Sequence, residues 1–92
     1  MDFRKAPNET TDGTWLQGHV DVTYSRLIEV FGPPHSAGDG YKTQAEWCLR
    51  FDDGTIATVY DYRNRLTPER TRNWGIGGFE KRALERVLEV LA

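Results

Sequence analysis

Residues 41–62 read YKTQAEWCLRFDDGTIATVYDY, and this stretch predicts a β-hairpin. In its first half the side chains alternate, so that one face of a strand is apolar and the other is mainly polar. The apolar face carries Ala45, Trp47, Leu49 and Phe51. Asp53-Gly54 supplies a tight turn, because glycine adopts a positive φ without a steric penalty. The second half is rich in β-branched and aromatic residues, which favour a returning strand.

Two registers of this hairpin fit the sequence. A two-residue turn would pair Phe51 with Ile56, whereas a three-residue loop with a bulge at Gly54 would pair Phe51 with Thr55. A slip of one residue moves every side chain of a strand to the other face, so the register decides which tyrosines are exposed. The two aspartates before Gly54 suit a type I turn followed by a left-handed glycine, and they favour the bulged loop.

Two helices are predicted outside the hairpin. Thr23 is a suitable N-cap, and Gly32 with the two prolines after it ends the first helix. The apolar stripe of this helix consists of Tyr24, Leu27, Ile28 and Phe31. The second helix is predicted over about residues 79–91, because apolar residues recur there with helical spacing. Its apolar face consists of Ala83, Leu84, Val87, Leu88 and Leu91.

Short strands are predicted before the first helix, over residues 15–20, and after the hairpin, over residues 73–76, where Gly77-Gly78 ends the strand. Residues 1–13 are polar and are predicted to form a flexible lead to a single domain over residues 14–92. The element order is (β)-α-β-β-β-α. It predicts the α+β class, with a small antiparallel sheet of three to four strands and both helices packed on one face. The other face would be partly open and free to bind.

Composition indicates a small acidic domain. The chain has 92 residues, of which 38% are apolar and 28% are charged, and its net charge is -2. These values support one small core and give no overall field that would attract nucleic acid or an anionic membrane. The single cysteine rules out an internal disulfide, no apolar run approaches the roughly 20 residues of a membrane span, and the first residues lack the apolar stretch of a signal peptide. We therefore expect a cytosolic protein.

Three groups of residues are candidates for binding. Arginines before the last strand can recognise phosphate or carboxylate, and the alternative is a solvated loop. Glycine amides before the last helix can cradle an anion, and the alternative is a tight strand-to-helix turn. Tyrosines of the hairpin suit interfaces, and the alternative is core packing. The binding candidates are Tyr41, Tyr60, Tyr62, Arg63, Arg65, Arg70 and Arg72, and the candidate anion-binding backbone is that of Gly75, Gly77 and Gly78.

The sequence favours binding over catalysis. His19 and His35 are the two histidines, and neither lies at a metal-ligand spacing from Cys48. Cys48 falls in mid-strand, where a small buried thiol is the common role, and turn chemistry accounts for Asp52 and Asp53. We expect no catalytic residue, no metal and no cofactor.

A joint pattern of motifs spans roughly residues 18–91. It consists of Thr23-Tyr24-x-x-Leu27…Phe31-Gly32-x-Pro34, Asp39-Gly40-Tyr41-Lys42-x-x-Ala45-x-Trp47, Phe51-x-Asp53-Gly54-Thr55-x-Ala57-Thr58-x-Tyr60 and Trp74-x-Ile76-Gly77-Gly78. In this pattern the chain resembles a widespread group of small bacteriophage proteins. The resemblance implies a phage or prophage origin and a role inside the infected bacterium, where proteins of this size often inhibit or sequester host components, including antiviral defences.

A second resemblance is local. The short helix that ends in Phe31-Gly32-x-Pro34, followed by a hairpin with aromatic residues and an Asp-Gly turn, is similar to the unit in β-lactamase inhibitory protein and in the outer-membrane assembly lipoproteins. Those proteins are non-enzymatic protein binders. The resemblance therefore implies a mode of binding and carries over no functional residue.

The expected function is that of a non-enzymatic, phage-type accessory protein. It would bind and inhibit a host protein, such as a component of antiviral defence, in the bacterial cytoplasm. Its surface would be formed by Tyr41, Tyr60, Tyr62, Arg63 and Arg65. One alternative is a sponge for a small anionic signalling nucleotide, held by the four candidate arginines and the glycine backbone at an oligomer interface. Another is a structural or regulatory phage component. Neither nucleic acid nor a membrane is an expected partner.

Overall fold

The computed structural model describes residues 2–6, 13–34, 45–61 and 70–92. Within these ranges five strands form one antiparallel sheet that is accompanied by two helices. The strands are β1 (Phe3–Lys5), β2 (Trp15–Asp21), β3 (Glu46–Phe51), β4 (Ile56–Tyr60) and β5 (Asn73–Gly78), and the helices are α1 (Tyr24–Phe31) and α2 (Arg82–Leu91). In space the strands follow the order β1-β3-β4-β5-β2. The predicted α+β class is confirmed, with five strands where three to four were expected.

The hairpin of β3 and β4 adopts the bulged register that the sequence favoured. Gly54 has a φ of 90°. Its amide donates to the Phe51 carbonyl oxygen (2.8 Å), and the Phe51 amide donates to the Thr55 carbonyl oxygen (2.9 Å). Trp47 therefore lies opposite Val59, and both side chains are buried on the same face of the sheet.

Helix α1 begins and ends where the sequence predicts. The Thr23 hydroxyl oxygen accepts a hydrogen bond from the Arg26 amide (3.1 Å), which satisfies a donor of the first turn. At the other end Gly32 has a φ of 80°, and its amide donates to the Ile28 carbonyl oxygen (2.8 Å). Pro33 follows and has no amide hydrogen with which to continue the helix.

Two buried tryptophans fix α1 to the sheet at both of its ends. The Trp74 indole N–H donates to the Val22 carbonyl oxygen (3.0 Å), just before the helix, and the Trp47 indole N–H donates to the Gly32 carbonyl oxygen (2.8 Å), just after it. The ring of Tyr24 stacks on Trp74 at a centroid distance of 6.1 Å and contacts Trp47 at 5.9 Å. Each indole thus satisfies its polar group while the ring contributes apolar surface to the core.

Both helices cover the same face of the sheet, as predicted. Tyr24 of α1 packs on the tryptophans of this face, and Ala83 of α2 lies against Gly78 of β5. The buried core consists of Leu27, Phe31, Ala45, Trp47, Leu49, Phe51, Ala57, Val59, Trp74, Ile76, Ala83 and Val87. Leu88, which the helical spacing assigned to the apolar face of α2, is instead 43% exposed. Neither of the described helices is long and apolar enough to cross a membrane.

The prediction of a flexible lead over residues 1–13 is wrong for β1. This strand pairs with β3, and Phe3 lies opposite Phe51. The Phe3 ring contacts the rings of Phe31 (5.2 Å between centroids) and Phe51 (5.8 Å), and Ala6 is buried as well, so these two residues anchor the segment. The remainder of the predicted lead falls partly on residues 7–12, which lie outside the described residues.

The prediction that Gly77-Gly78 ends the last strand is also wrong. Strand β5 continues through Gly78, and α2 begins at Arg82 rather than near residue 79. The reason is close packing on the two faces of β5. A Cβ atom at Gly78 would lie 2.3 Å from the Ala83 Cβ, and one at Gly75 would lie 2.9 Å from the Tyr60 Cε2. The glycines make room for neighbours and do not break the strand.

Replacing Gly78 by alanine should therefore destabilise the fold by about 2–3 kcal/mol, the upper part of the range typical of overpacking. The new methyl group would also lie 3.1 Å from the Ile56 carbonyl oxygen, which cannot move independently of the sheet. Gly54→Ala is the matched control, since no atom lies within 4 Å of its Cβ position and the cost is backbone strain of about 1 kcal/mol. Urea denaturation measures both free energies of unfolding. Equal losses would contradict the close contact between α2 and β5.

Replacing Trp47 by phenylalanine should lower the free energy of unfolding by about 2 kcal/mol, because it leaves the Gly32 carbonyl without its donor. Trp15→Phe is the control, since Trp15 is 58% exposed and its replacement should change stability by less than about 0.5 kcal/mol. Both values come from urea denaturation followed by circular dichroism. A Trp47→Phe protein as stable as the parent would show that this hydrogen bond does not hold α1 in place.

Candidate binding surface

Strand β2 forms an edge of the sheet, with β5 on one side and no described strand on the other. The Val22 amide donates to the Arg72 carbonyl oxygen (2.8 Å), so these residues form a hydrogen-bonded pair. Such pairs alternate along antiparallel strands, which makes the pairs formed by Asp21 and His19 non-hydrogen-bonded. The backbone N–H and C=O groups of His19 and Asp21 therefore point away from β5, and they have no partner among the described residues.

A β-bulge interrupts β2 between Leu16 and Gly18. Gln17 is the extra residue, and its side-chain amide donates to the Gly78 carbonyl oxygen (3.0 Å). At Gly18 a Cβ atom would lie 2.7 Å from the Leu84 Cδ2, so the absence of a side chain lets α2 approach the strand. A bulge increases the local twist and redirects the neighbouring side chains, which here are those at the start of β2.

Three large apolar side chains are exposed where β2 starts. Trp15 is 58% exposed, Leu16 is 49% exposed and Phe79 is 43% exposed. The rings of Trp15 and Phe79 meet edge to face, with 6.5 Å between their centroids. Because consecutive residues of a strand point to opposite faces, Trp15 and Leu16 flank the edge on its two sides. We call these three residues the edge patch.

Of the tyrosines predicted to bind, the structure describes Tyr60, which is half-buried. Its ring lies across the backbone of β5, since Cβ atoms at Gly75 and Gly77 would come within 2.9 Å and 3.4 Å of ring carbons. The ring thus covers a strand that lacks side chains there, as aromatic residues do when they pack over cross-strand glycines. Four further predicted residues lie outside the described residues: Tyr41, Tyr62, Arg63 and Arg65.

The predicted arginines in the described part of the chain, Arg70 and Arg72, are both exposed. Arg72 forms an ion pair with Asp21, with 3.1 Å between its Nε and the Asp21 Oδ1. Both side chains of this pair are mostly exposed, so its contribution to stability is small. The pair lies at the C-terminal end of β2, whereas the edge patch lies at its start.

The glycines predicted to offer backbone amides to an anion are Gly75, Gly77 and Gly78. All three belong to β5, which is paired with β4 on one side and with β2 on the other. Their backbone groups therefore face neighbouring strands, and a paired strand takes the place of the anion-binding turn that the sequence suggested.

An ion pair joins the hairpin turn to α2. The Asp53 Oδ2 accepts a hydrogen bond from the Arg86 Nε (3.0 Å), and the Asp53 Oδ1 accepts one from the Thr55 amide (3.0 Å). Hydrogen bonds from the Thr55 hydroxyl, from the Thr55 amide and from Arg86 lower the pKa of Asp53 to about 2. This carboxylate serves the turn and the contact with the helix.

A cavity of about 250 Å³ opens beside this turn, and Phe79 of the edge patch is part of its wall. The complete lining consists of Asp53, Gly54, Thr55, Ile56, Phe79, Glu80 and Arg82. Cavities that enclose small molecules usually measure about 300–1,000 Å³, so this cleft fits a single side chain better than a cofactor.

Two residues with the chemistry for catalysis or metal binding, Cys48 and Asp61, are buried within the fold. The described residues contain no group of three His, Cys, Asp or Glu side chains that could hold a metal ion. Cys48 is buried in the sheet. Asp61 is buried as well, and its Oδ1 accepts a hydrogen bond from the Ala45 amide (3.1 Å) at the start of β3.

Comparisons of the chain with family models, with curated proteins and with solved structures give no match. Sequence reasoning missed the edge patch, although a signal was present. A strand that begins with Trp15-Leu16 places one large apolar side chain on each face, and a sheet with helices on one face cannot bury both.

Acid should weaken the fold between about pH 4 and pH 2 in a way that depends on Asp53. Its pKa in the folded protein, about 2, lies below the ordinary value of 3.8. The stabilisation is therefore complete above about pH 4 and is lost as the pH falls towards 2, because the unfolded chain binds the proton more readily. Asp53→Asn keeps an acceptor for the Thr55 amide and should show a smaller decrease in Tm across this range. Asp52→Asn, outside the ion pair, is the control, and identical pH profiles for Asp53→Asn and the parent would contradict this assignment.

Proposed function

We propose that this protein is a non-enzymatic binding protein that recognises another protein through the edge patch and the adjoining edge of β2. The exposure of Trp15, Leu16 and Phe79 carries the proposal. The rings of Trp15 and Phe79 are in contact, and grouped apolar side chains at a surface mark interaction sites more often than single exposed residues do. Tryptophan is also among the residues that most often dominate the binding energy of protein interfaces.

The contrast among the three tryptophans supports this reading. Trp47 and Trp74 are fully buried, and each indole N–H donates to a backbone carbonyl. Trp15 is 58% exposed, and in the described structure its indole N–H has no acceptor. It therefore offers a partner both a large apolar surface and an available donor, a combination that makes tryptophan frequent at interfaces.

The resemblance to small bacteriophage proteins sets the proposed context. The partner would be a host protein in the cytoplasm of an infected bacterium, and binding would inhibit it. The sheet edge and its aromatic residues form a surface suited to covering part of another protein, and the charged groups at the hairpin turn are engaged with each other.

Replacing Trp15 and Leu16 of the edge patch should weaken binding and leave the fold intact. We expect the double variant Trp15→Ala/Leu16→Ser to capture its partner from a bacterial lysate at least tenfold less well, since loss of a central interface residue costs about 2 kcal/mol or more. Leu88→Ser is the matched control, because Leu88 is as exposed as Phe79 but lies on α2. Captured proteins are identified and quantified by mass spectrometry, and circular dichroism verifies the fold of each variant.

Tryptophan fluorescence gives a second readout. Because Trp15 is the exposed tryptophan, an aqueous quencher should reduce its emission in the free protein and lose this effect in the complex. Equal capture by the parent and the edge-patch variant, or an equal loss with Leu88→Ser, would reject the edge patch as the binding surface.

A further inference from the structure

We infer that the partner contributes an extended segment that pairs with the outer edge of β2 and adds a strand to the sheet. This inference rests on the proposed function and specifies how the partner is held. It identifies the ligand by chemistry, as a strand of polypeptide with apolar side chains next to the edge patch.

The backbone of β2 supplies the first part of the argument. His19 and Asp21 each direct an N–H donor and a C=O acceptor away from β5, as the alternation of hydrogen-bonded pairs requires. The two residues are separated by one position, so their outward groups repeat at about 6.5–7 Å, twice the rise per residue of a strand. An extended polypeptide backbone presents donors and acceptors at the same repeat, which is why free edges bind strands.

The two edges of the sheet differ in how they are protected. Natural edges avoid unwanted pairing by being short, by carrying charge or by containing proline. At one edge, β1 has three residues, of which Arg4 and Lys5 are basic. At the other edge, β2 has seven residues and contains no lysine, arginine or proline, and its charged residue, Asp21, lies at its end and is paired with Arg72. Its bulge lies near its start and leaves the segment from Gly18 to Asp21 regularly paired with β5. The β2 edge thus keeps the properties of a pairing site.

The edge patch specifies the side chains of the incoming strand. Trp15 pairs with Gly78 on the face that carries the helices, and Leu16 pairs with Gly77 on the opposite face. An added strand also alternates between the faces, so two consecutive residues of the partner would contact Trp15 and Leu16 on opposite sides. We therefore expect two adjacent apolar residues in the bound segment, without proline between them and the part that pairs with His19.

A second copy of this chain fits the edge less well. A closed dimer requires twofold symmetry, in which β2 pairs antiparallel with itself. If the axis passes through Val20, His19 pairs with Asp21 of the other copy, and Leu16 falls opposite Tyr24, a residue of α1. If the axis passes through Leu16, then His19 and Asp21 fall opposite positions 13 and 11, which lie outside β2. Neither of these two axes satisfies both the outward amides and the edge patch, whereas a strand from a different protein has no such restriction.

The substitution His19→Pro tests the backbone pairing directly. Proline removes the outward N–H and places its ring on the outer edge of β2, while the hydrogen bonds to β5 come from other residues. His19→Ala is the matched control, because it removes the same side chain and keeps the N–H. The probe is a displayed library of random ten-residue peptides, selected on the immobilised full chain. We expect the enriched peptides to contain two adjacent apolar residues, and their Kd to rise at least tenfold with His19→Pro and to stay within twofold with His19→Ala.

Amide hydrogen exchange of the unmodified chain gives a measurement that does not depend on the folding of the proline variant. In the free protein the amides of His19 and Asp21 should exchange faster than those of Gly18 and Val20, which face β5. Addition of a selected peptide should slow exchange at His19 and Asp21 at least tenfold.

Three outcomes would overturn the inference, and they separate it from the proposed function. If peptide binding survives His19→Pro and leaves the exchange at His19 and Asp21 unchanged, but is lost with Trp15→Ala, the patch binds proteins without strand pairing. If no peptide is enriched, or Trp15→Ala has no effect, both the strand pairing and the binding surface are rejected. If sedimentation shows a dimer of the free chain that His19→Pro dissociates, a second copy occupies the edge.

Discussion

Two indole N–H groups, donated to the backbone on either side of one short helix, determine how the layers of this protein fit together. An eight-residue helix is too short to be stable in isolation, so α1 depends on its contacts with the sheet. Trp74 holds the chain where it enters the helix, and Trp47 holds it where it leaves. These tryptophans stand on β5 and β3, with β4 between them. The position of α1 therefore ties together the three central strands. The edge strands β1 and β2 pair with the outer sides of β3 and β5.

The hairpin and α1 could be predicted from the sequence because their signals are local. A turn that ends in Gly54 and a helix that begins at Thr23 are decided by residues within a few positions, and both agree with the structure. The extent of β1 and β5 is decided by partners distant in sequence. Phe3 becomes part of a strand because Phe31 and Phe51 receive its ring. A glycine pair gives the same local signal whether it ends a strand or admits a close neighbour, and this explains the error in β5.

The candidate site was harder to predict than the fold, for the same reason. Whether Trp15 is buried depends on which strand lies beyond β2, and the sequence of β2 contains no information on the strand order. The order β1-β3-β4-β5-β2 places β2, and with it the proposed binding surface, at an edge of the sheet and not in the hairpin of β3 and β4. There an edge with no described strand beyond it coincides with the edge patch, whereas the ring of Tyr60, the hairpin tyrosine that the structure describes, covers β5. The proposed surface thus combines backbone groups that can form hydrogen bonds with any extended chain and side chains that favour particular partner sequences.

The glycine-rich strand β5 has a consequence for how this protein can change over evolutionary time. Gly75 and Gly77 are held under the Tyr60 ring on one face, and Gly78 is held under Ala83 on the other, so β5 tolerates few replacements. Trp15 and Leu16, one strand away, support little of the core because their side chains face water. Packing therefore restricts substitution in the interior strand β5, whereas the exposed side chains of the adjacent strand β2 are free to vary. Such a division allows the preference for a partner to drift through substitutions in β2 while the scaffold that presents it stays folded.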